Sequence, residues 1–237
     1  MSGHSKWANI KHKKGAADAR KAAVFTKLAK NITVAAKNGG DPDFNFSLRT
    51  AINAALNANM TKDAVERAVR RGTGDDGGGQ IEEVTYEGFG PGGVAVIVEA
   101  LTDNRNRTAP NIRHVFGKHG GNMGATGSVQ WMFDRRGVVR AEGDGIPEDA
   151  EMALIDAGAD DIVAEDGDIV ISGPVESLQK IQETAERFGL RIGSASLEWL
   201  PKDDVAVEES VREALVGLLE ALDDDEDVNA VYCNADV

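Results

Sequence analysis

Cysteine is nearly absent from the 237-residue sequence, which contains only Cys233. A single cysteine cannot form a disulfide within the chain, and it excludes a metal site built from several thiolates. The sequence also has no apolar run approaching the roughly 18 residues of a membrane-spanning helix. Residues 1–30 contain no uninterrupted apolar core of a secretory signal. These absences predict a cytoplasmic protein with no membrane partner.

Motifs that bind nucleotide cofactors are also missing. The string Gly88-x-Gly90-x-x-Gly93 matches a dinucleotide-binding fingerprint. A strand is predicted after it, however, where the fingerprint requires a helix whose N-terminus meets the pyrophosphate. The glycine-rich residues 120–127 lack the Gly-Lys-Ser/Thr ending of a phosphate-binding loop. We therefore expect a hairpin at the first glycine cluster and a flexible connecting loop at the second. A mobile loop that faces RNA or DNA is the alternative interpretation of the second cluster.

Catalytic and metal-binding patterns are equally hard to find. The four histidines are His4, His12, His114 and His119. Their spacing does not place two ligands on one face of a helix. The acidic residues 223–227 lack the alternating ligands and central glycine of a calcium-binding loop, and no nucleophile lies beside a base in a catalytic motif. We expect no metal, no cofactor, no small-molecule substrate and no enzymatic activity.

Basic residues are concentrated at the start of the chain. Residues 1–72 carry 14 basic and 5 acidic residues, a net charge of +9, whereas the remainder carries 12 and 35, a net charge of −23. The overall charge of −14 therefore conceals a basic arm on an acidic body. An acidic body repels phosphates everywhere except at the basic region, which favours selective binding of nucleic acid there.

The N-terminal basic segment, residues 3–14, holds four lysines, two histidines, one tryptophan and no acidic residue. Lysines suit phosphate groups, and tryptophan suits stacking on a base. A solvated chain terminus is the alternative interpretation. The candidate nucleic-acid contacts in this segment are Lys6, Trp7, Lys11, His12, Lys13 and Lys14.

Three helices are predicted after this segment, at residues 16–38, 46–59 and 61–72. The first has apolar residues on one side, whereas Arg20, Lys27, Lys30 and Lys37 lie on roughly the opposite side. We expect a small bundle with this basic stripe facing outward, which adds Arg20, Lys27 and Lys30 to the candidate contacts. Arg67, Arg70 and Arg71 close the third helix, where cations are favourable without any ligand.

Elements of a different kind follow the glycine-rich linker at residues 72–79. Strands are predicted at 82–87, 94–101 and 128–133, with a helix at 108–119 that has Pro110 in its first turn. Residues 138–199 then show the order strand–helix–strand–strand–helix–strand, which is typical of a ferredoxin-like unit. A helix at 207–222 and a strand at 228–233 end the chain and are expected to complete the sheet that begins at residue 82.

The sequence thus predicts a multidomain α and α+β protein. We expect an N-terminal three-helix domain at residues 1–78, and an α+β domain formed by residues 79–135 together with 203–237. A ferredoxin-like α+β domain at residues 136–202 is inserted in the second domain.

A second cluster of basic residues lies in the middle of the chain. Between Asp103 and Arg140 there are seven basic residues and two acidic ones. Residues 104–108, NRNRT, fall at a strand-to-helix junction, where their donors can contact phosphates or bases. Helix capping with surface arginines is the alternative interpretation. Arg105, Arg107 and Arg113 are the candidate contacts in this cluster.

Five stretches of the sequence resemble the YebC/PmpR family. They are GHSKWANIKHKK from Gly3, VFTKLAK from Val24, YEGFGPGGVAVIVEALTDNRNRT from Tyr86, GNMGATGSVQWMF from Gly121 and EALDDDEDVNAVYCN from Glu220. The resemblance covers nearly the whole chain. It implies an N-terminal helical domain followed by two α+β domains, the third inserted in the second.

The resemblance also implies a function. Members of the family are described as probable transcriptional regulators, and relatives act as translational activators on the ribosome, including in mitochondria. The N-terminal basic segment matches the family's opening motif, and Arg105, Arg107 and Arg113 fall in its central motif. No catalytic residue is implied.

Three functions remain open from the sequence. The first is a DNA-binding transcriptional regulator, although no clear helix-turn-helix with a base-reading helix is visible. The second is a translational activator that binds ribosomal RNA or the ribosome, since a lysine-rich arm with Trp7 suits structured RNA and single strands at least as well as duplex DNA. The third is a protein-interaction scaffold, for which association would lack the steep salt dependence of phosphate contacts.

Overall fold

The computed structural model describes residues 18–75, 80–143, 145–165 and 167–236, with side chains described between residues 23 and 235. These residues divide into two compact units. The inserted unit is Asp134–Leu200, and the main unit comprises the described residues up to Phe133 together with those from Pro201 onward. The finer division into three domains stays a prediction, and residues 76–79 of the predicted linker lie outside the described residues.

The elements alternate between helices and strands after an all-helical start. The helices are α1 (Asp18–Ala36), α2 (Phe46–Asn57), α3 (Lys62–Thr73), α4 (Arg105–Lys118), α5 (Glu148–Asp156), α6 (Leu178–Arg187) and α7 (Glu209–Asp223). The strands are β1 (Glu82–Phe89), β2 (Ala95–Thr102), β3 (Asn122–Met123), β4 (Phe133–Glu142), β5 (Asp161–Glu165), β6 (Asp168–Gly173), β7 (Arg191–Pro201), β8 (Val205–Ala206), β9 (Val228–Cys233) and β10 (Ala235–Asp236). None of the helices in the described ranges combines the length and the apolar character that a membrane-spanning helix requires.

Side-chain caps define the ends of the first helices. The Asn45 side chain accepts the N–H of Leu48 at the start of α2, and the Thr61 side chain accepts the N–H of Ala64 at the start of α3. These bonds satisfy donors that a helix N-terminus leaves without an intrahelical partner. The chain leaves α3 at Gly74, whose φ of 89° is accessible to glycine without steric cost.

The three helices pack around a small apolar core in which Ile32 of α1 and Leu48 of α2 are fully buried. Helices α1 and α3 approach closely at Gly72, where a Cβ atom would lie 2.3 Å from the carbonyl oxygen of Thr33. The Thr33 hydroxyl also donates to the carbonyl of Ala68 in α3. Glycine at position 72 is therefore required by the close contact of these helices.

The main unit also contains a four-stranded antiparallel sheet in the order β3-β1-β2-β9. Apolar side chains of α4 and α7 cover one face of it, with Phe116 and Leu218 fully buried against Val98. The predicted completion of this sheet by the C-terminal strand is confirmed, since Val231 of β9 lies opposite Val98 of β2.

The inserted unit has a four-stranded sheet in the order β5-β6-β4-β7. Together with α5 and α6, this order confirms the predicted ferredoxin-like unit. Ile171 and Ile181 are fully buried, as expected for a sheet covered by helices. Arg140 of β4 and Glu198 of β7 form a buried ion pair of 2.6 Å.

Helix α4 starts earlier than predicted. It begins at Arg105, and not at Thr108, because the Asn104 side chain accepts the N–H of Arg107 and caps the helix there. Pro110 consequently lies beyond the first turn. Arg105 and Arg107 therefore lie within the helix, and not in the strand-to-helix junction that the sequence predicts for them.

The strand predicted at residues 128–133 is wrong. This stretch contains a short 3-10 turn, Gln130–Met132, and strand β4 begins only at Phe133. The Glu87 carboxylate accepts the backbone N–H groups of Gly127, Val129 and Gln130 at 2.6–2.8 Å. Three donors that converge on one carboxylate curl the backbone, whereas a strand would direct alternate donors to opposite sides.

Candidate functional site

The basic stripe of α1 meets the acidic loop, residues 223–227, at the end of α7. The Lys27 Nζ donates to the backbone carbonyl of Asp223 and lies 3.4 Å from its carboxylate. The Lys30 Nζ donates to the carbonyl of Glu226 at 2.7 Å and to the carboxylate of Asp227 at 2.8 Å. Two of the predicted nucleic-acid contacts are therefore neutralised within the main unit.

Asp227 is the centre of a group of hydrogen-bonded side chains, the Asp227 cluster, which also contains Lys30, Arg107 and Thr108. Its side chain is only 8% exposed. The Arg107 Nη2 donates to both carboxylate oxygens, at 3.1 and 2.8 Å, and the Thr108 hydroxyl donates to one of them at 2.8 Å. The Asp227 backbone carbonyl also accepts the N–H of Leu101 at the end of β2. The carboxylate of Asp227 thus connects α1 with α4, and its backbone carbonyl connects the same residue to β2.

The electrostatics follow from these contacts. Burial raises the pKa of Asp227, but the hydrogen bonds from Lys30, Arg107 and Thr108 outweigh it and lower that pKa to about 2. The hydrogen bond to Asp227 is also the main cause that raises the pKa of the Arg107 guanidinium. Asp227 and Arg107 therefore both remain ionised at neutral pH.

The prediction that the basic stripe faces outward is wrong for the described part of it. Lys27 and Lys30 contact the acidic loop, and the Lys37 Nζ donates to the backbone carbonyl of Ile81. The helical pattern places these lysines correctly on the side of α1 away from its apolar residues. That side nevertheless packs against other parts of the main unit. Acidic side chains and backbone carbonyls there take the place of water as hydrogen-bond partners of the lysines. The Arg20 side chain lies outside the described residues.

The other predicted contacts are placed differently. Arg105 forms an exposed ion pair with Glu82 of β1. Arg113 lies on the exposed side of α4. The predicted contacts Lys6, Trp7, Lys11, His12, Lys13 and Lys14 of the N-terminal basic segment lie outside the described residues.

Helix α4 presents a surface without acidic residues. We define the basic face of α4 as Arg113, His114 and Lys118, all of which are exposed. The whole helix, RNRTAPNIRHVFGK, contains no aspartate or glutamate. Among the residues that the structure describes, Arg113 and Lys118 have no ion-pair partner. These charges are therefore available to an external anion.

A cleft of about 520 Å³ lies beside the Asp227 cluster. Its lining combines basic residues with acidic ones: Lys30, Arg71, Arg107, Asp103, Asp225, Glu226 and Asp227. Because both signs are present in similar number, the cleft does not favour a polyanion. Nor do the described residues contain a group of histidine, cysteine or acidic side chains that could hold a metal ion.

The 3-10 turn after the glycine-rich loop exposes a tryptophan that the sequence analysis did not single out. The Trp131 residue is 67% exposed, and its Nε1 donates to the carbonyl of Ser128 at 3.1 Å. The buried Glu87 carboxylate holds the preceding backbone, as described above. The available signal was a tryptophan between glycine-rich and basic stretches, but a predicted strand concealed its exposure.

The fold and the site together define a multidomain α and α+β protein in which a buried aspartate joins the helical start of the chain to an antiparallel sheet. The chain belongs to the TACO1/YebC family. Residues 5–75 match the family's N-terminal domain, and residues 81–235 match its second and third domains.

Relatives of similar length are found in several bacteria. A protein of Desulfosudis oleivorans is 50% identical over 99% of this chain and 96% of its own length, and one of Syntrophus aciditrophicus is 47% identical over 100% and 96%. Both are named "Probable transcriptional regulatory protein". The crystal structure of a conserved hypothetical protein from Aquifex aeolicus matches with a TM-score of 0.89 and 42% identity, over 98% of this chain and 97% of the other.

Proposed function

We propose that this protein is a nucleic-acid-binding regulatory protein that acts in transcription by binding DNA. The names of its relatives support a regulatory role. The observation that carries the binding proposal is the basic face of α4, whose cations have no acidic partner among the described residues of a chain with a net charge of −14. Cations that are held on a helix and left unpaired suit the phosphate backbone of a duplex.

The predicted contacts take unequal parts in this proposal. Arg113 contacts phosphate directly, together with the lysines of the N-terminal basic segment. Lys27, Lys30 and Arg107 are already paired with carboxylates, so an incoming phosphate would have to displace Asp223 and Asp227. Their main part is to hold α1 and α4 against the acidic loop. Arg105 contributes weakly, because an exposed ion pair with Glu82 exchanges readily with water and salt.

The experiment compares two double variants of equal charge change. Arg113→Ala with Lys118→Ala removes the two unpaired cations from the basic face of α4. Lys62→Ala with Lys180→Ala removes two exposed cations from α3 and α6 and serves as the control. Binding to a fluorescein-labelled duplex DNA of random sequence is measured by anisotropy over a series of salt concentrations.

We expect the α4 variant to bind more weakly, and its plot of log affinity against log salt to lose a slope of about 2, since each phosphate contact contributes about 0.9. The control should retain most of the affinity and slope. Equal losses in both variants, or none in either, would contradict a contact at α4.

Binding of RNA in translation is the second candidate function, and the exposed Trp131 favours it. An accessible indole ring stacks on unpaired bases, which RNA loops offer and a closed DNA duplex does not. Ultraviolet crosslinking in cells, followed by sequencing of the attached nucleic acid, separates the two candidates. Recovery of promoter DNA supports the transcriptional proposal. Recovery of ribosomal RNA replaces it with a translational role.

A further inference from the structure

We infer that Trp131 is a stacking site for an unpaired nucleobase, held ready by the carboxylate of Glu87. This inference rests on the proposed nucleic-acid binding and adds a specific contact to it. The first observation is the exposure of the ring. A tryptophan buries a large apolar area when it finds a partner, so leaving 67% of the residue in water forgoes a substantial stabilisation.

The loop that carries Trp131 is fixed from behind. Glu87 is only 3% exposed, and its two carboxylate oxygens accept three backbone N–H groups of residues 127–130. Met132 donates its N–H to the carbonyl of Val129, which closes the 3-10 turn. These bonds hold the backbone at Trp131 in place, so the ring projects from a fixed point of the native fold.

Lys202 fixes the other side of the turn. Its Nζ donates to the carbonyl of Trp131 at 3.0 Å, and its backbone N–H donates to the carbonyl of Met132 at 3.0 Å. The ring is oriented as well, since its Nε1 donates to Ser128. A ring that is ordered before binding loses little conformational entropy when a ligand stacks on it.

The surroundings favour a base over an apolar protein surface. Hot-spot tryptophans at protein interfaces sit at the centre of well-packed apolar patches. The exposed neighbours of Trp131 in the turn and in its hydrogen bonds are Gln130 and Lys202, which are polar. An exposed aromatic ring among polar groups suits single-stranded nucleic acid, because the ring takes the base while the flanking sugar and phosphate groups stay in polar surroundings.

Phe44 provides a matched contrast in the same unit. It is 90% exposed, but it follows Asp41 and Asp43 in the turn between α1 and α2. Two carboxylates beside a ring repel the phosphates that flank any base. Exposure alone therefore does not distinguish the two aromatics. Trp131 differs from Phe44 in the hydrogen bonds that hold its ring and its backbone, and Phe44→Ala is the control substitution.

The test uses two labelled probes with the same backbone, a 12-nucleotide oligouridine and a 12-nucleotide abasic oligoribonucleotide. Anisotropy titrations compare the full-length protein with Trp131→Ala, Trp131→Phe and Phe44→Ala. We expect Trp131→Ala to weaken oligouridine binding about 5- to 100-fold, as typical for loss of one stacking ring. Its binding to the abasic probe should not change. Trp131→Phe should fall between, and Phe44→Ala should match wild type.

Glu87→Gln tests the positioning part of the inference. The amide presents an NH₂ group to backbone donors that need an acceptor, so it loosens the turn while Trp131 stays in the sequence. We expect the preference for oligouridine over the abasic probe to decrease. A residue that only stabilised the fold would lower binding to both probes alike, and that result would overturn the role of Glu87.

Failure of the inference can be told apart from failure of the proposed function. If wild type binds neither the duplex nor either oligonucleotide at physiological salt, the proposed function fails, and the stacking site fails with it. If wild type binds in a salt-dependent way but Trp131→Ala keeps its preference for oligouridine, only the stacking site is overturned. An equal loss on both probes in Trp131→Ala would overturn it too.

Discussion

The Lys30 Nζ and the Asp227 Oδ1 lie 2.8 Å apart, although the two residues are separated by 197 positions in the chain. This ion pair joins the basic start of the protein to the acidic loop near its end. Some of the opposite charges that the sequence places far apart therefore neutralise each other inside the main unit. Because the Asp227 side chain is 8% exposed, the pair is screened less by salt than a surface pair.

Asp227→Asn should destabilise the main unit by about 2 kcal/mol, since it leaves Lys30 and Arg107 without their buried counter-charge. Urea-induced unfolding at neutral pH measures the effect. Asp224→Asn is the matched control, because Asp224 lies exposed in the same loop. It should change the free energy of unfolding by less than about 0.5 kcal/mol. Similar effects of both variants would contradict a special role of Asp227.

The stability that Asp227 contributes should depend on pH. Its pKa is lowered to about 2 in the folded protein, whereas an unfolded aspartate titrates near about 3.9. The contribution is therefore complete above the unfolded pKa and is lost as the pH falls from about 4 towards 2. We expect the difference in free energy of unfolding between wild type and Asp227→Asn to shrink over this range. A difference that stays constant down to pH 2.5 would argue against the lowered pKa.

Arg107→Ala should lower the melting temperature more than Arg105→Ala does. Arg107 donates to both oxygens of a buried carboxylate, whereas Arg105 pairs with a half-exposed glutamate. Differential scanning fluorimetry of the two single variants makes the comparison directly. Equal melting temperatures would mean that Asp227 is held by Lys30 and Thr108 alone.

Gly72→Ala should destabilise the helical bundle by about 1–3 kcal/mol, because the new methyl group would clash with the carbonyl of Thr33. Gly117→Ala is the opposite case. No atom lies within 4 Å of the position that its Cβ would occupy in α4, so alanine should stabilise the helix by up to about 1 kcal/mol. Chemical denaturation of both variants measures this pair. A neutral Gly72→Ala would contradict the close approach of α1 and α3.

Replacing Lys11, Lys13 and Lys14 together by glutamate should remove most of the affinity for nucleic acid, since it changes the charge of the N-terminal basic segment by six units. The fold should be unaffected, as judged by circular dichroism and by the melting temperature. Anisotropy with labelled duplex DNA at physiological salt measures the loss. Unchanged binding would remove this segment from the proposed interface.

Local patterns in the sequence were enough to predict most of the elements. Thr61 marks the start of α3 and the glycines from Gly72 onward mark its end, because a capping side chain and a left-handed glycine each act within a few residues. The order of strands and helices from residue 138 onward predicts the ferredoxin-like unit, because each of these elements is also indicated by a local pattern of residues. The prediction of a strand at 128–133 failed because hydrogen bonds to the Glu87 carboxylate set the backbone conformation there, and Glu87 lies some 40 positions earlier in the chain.

The sequence by itself determined the separation of charge, the helical faces and the family to which the chain belongs. Only the tertiary structure decided which cations remain available. Periodicity places Lys30 on the polar side of α1, but it cannot say whether water or Asp227 covers that side. Burial of Asp227 and exposure of Trp131 both depend on contacts between distant parts of the chain, and these are selected by the packing of the whole main unit.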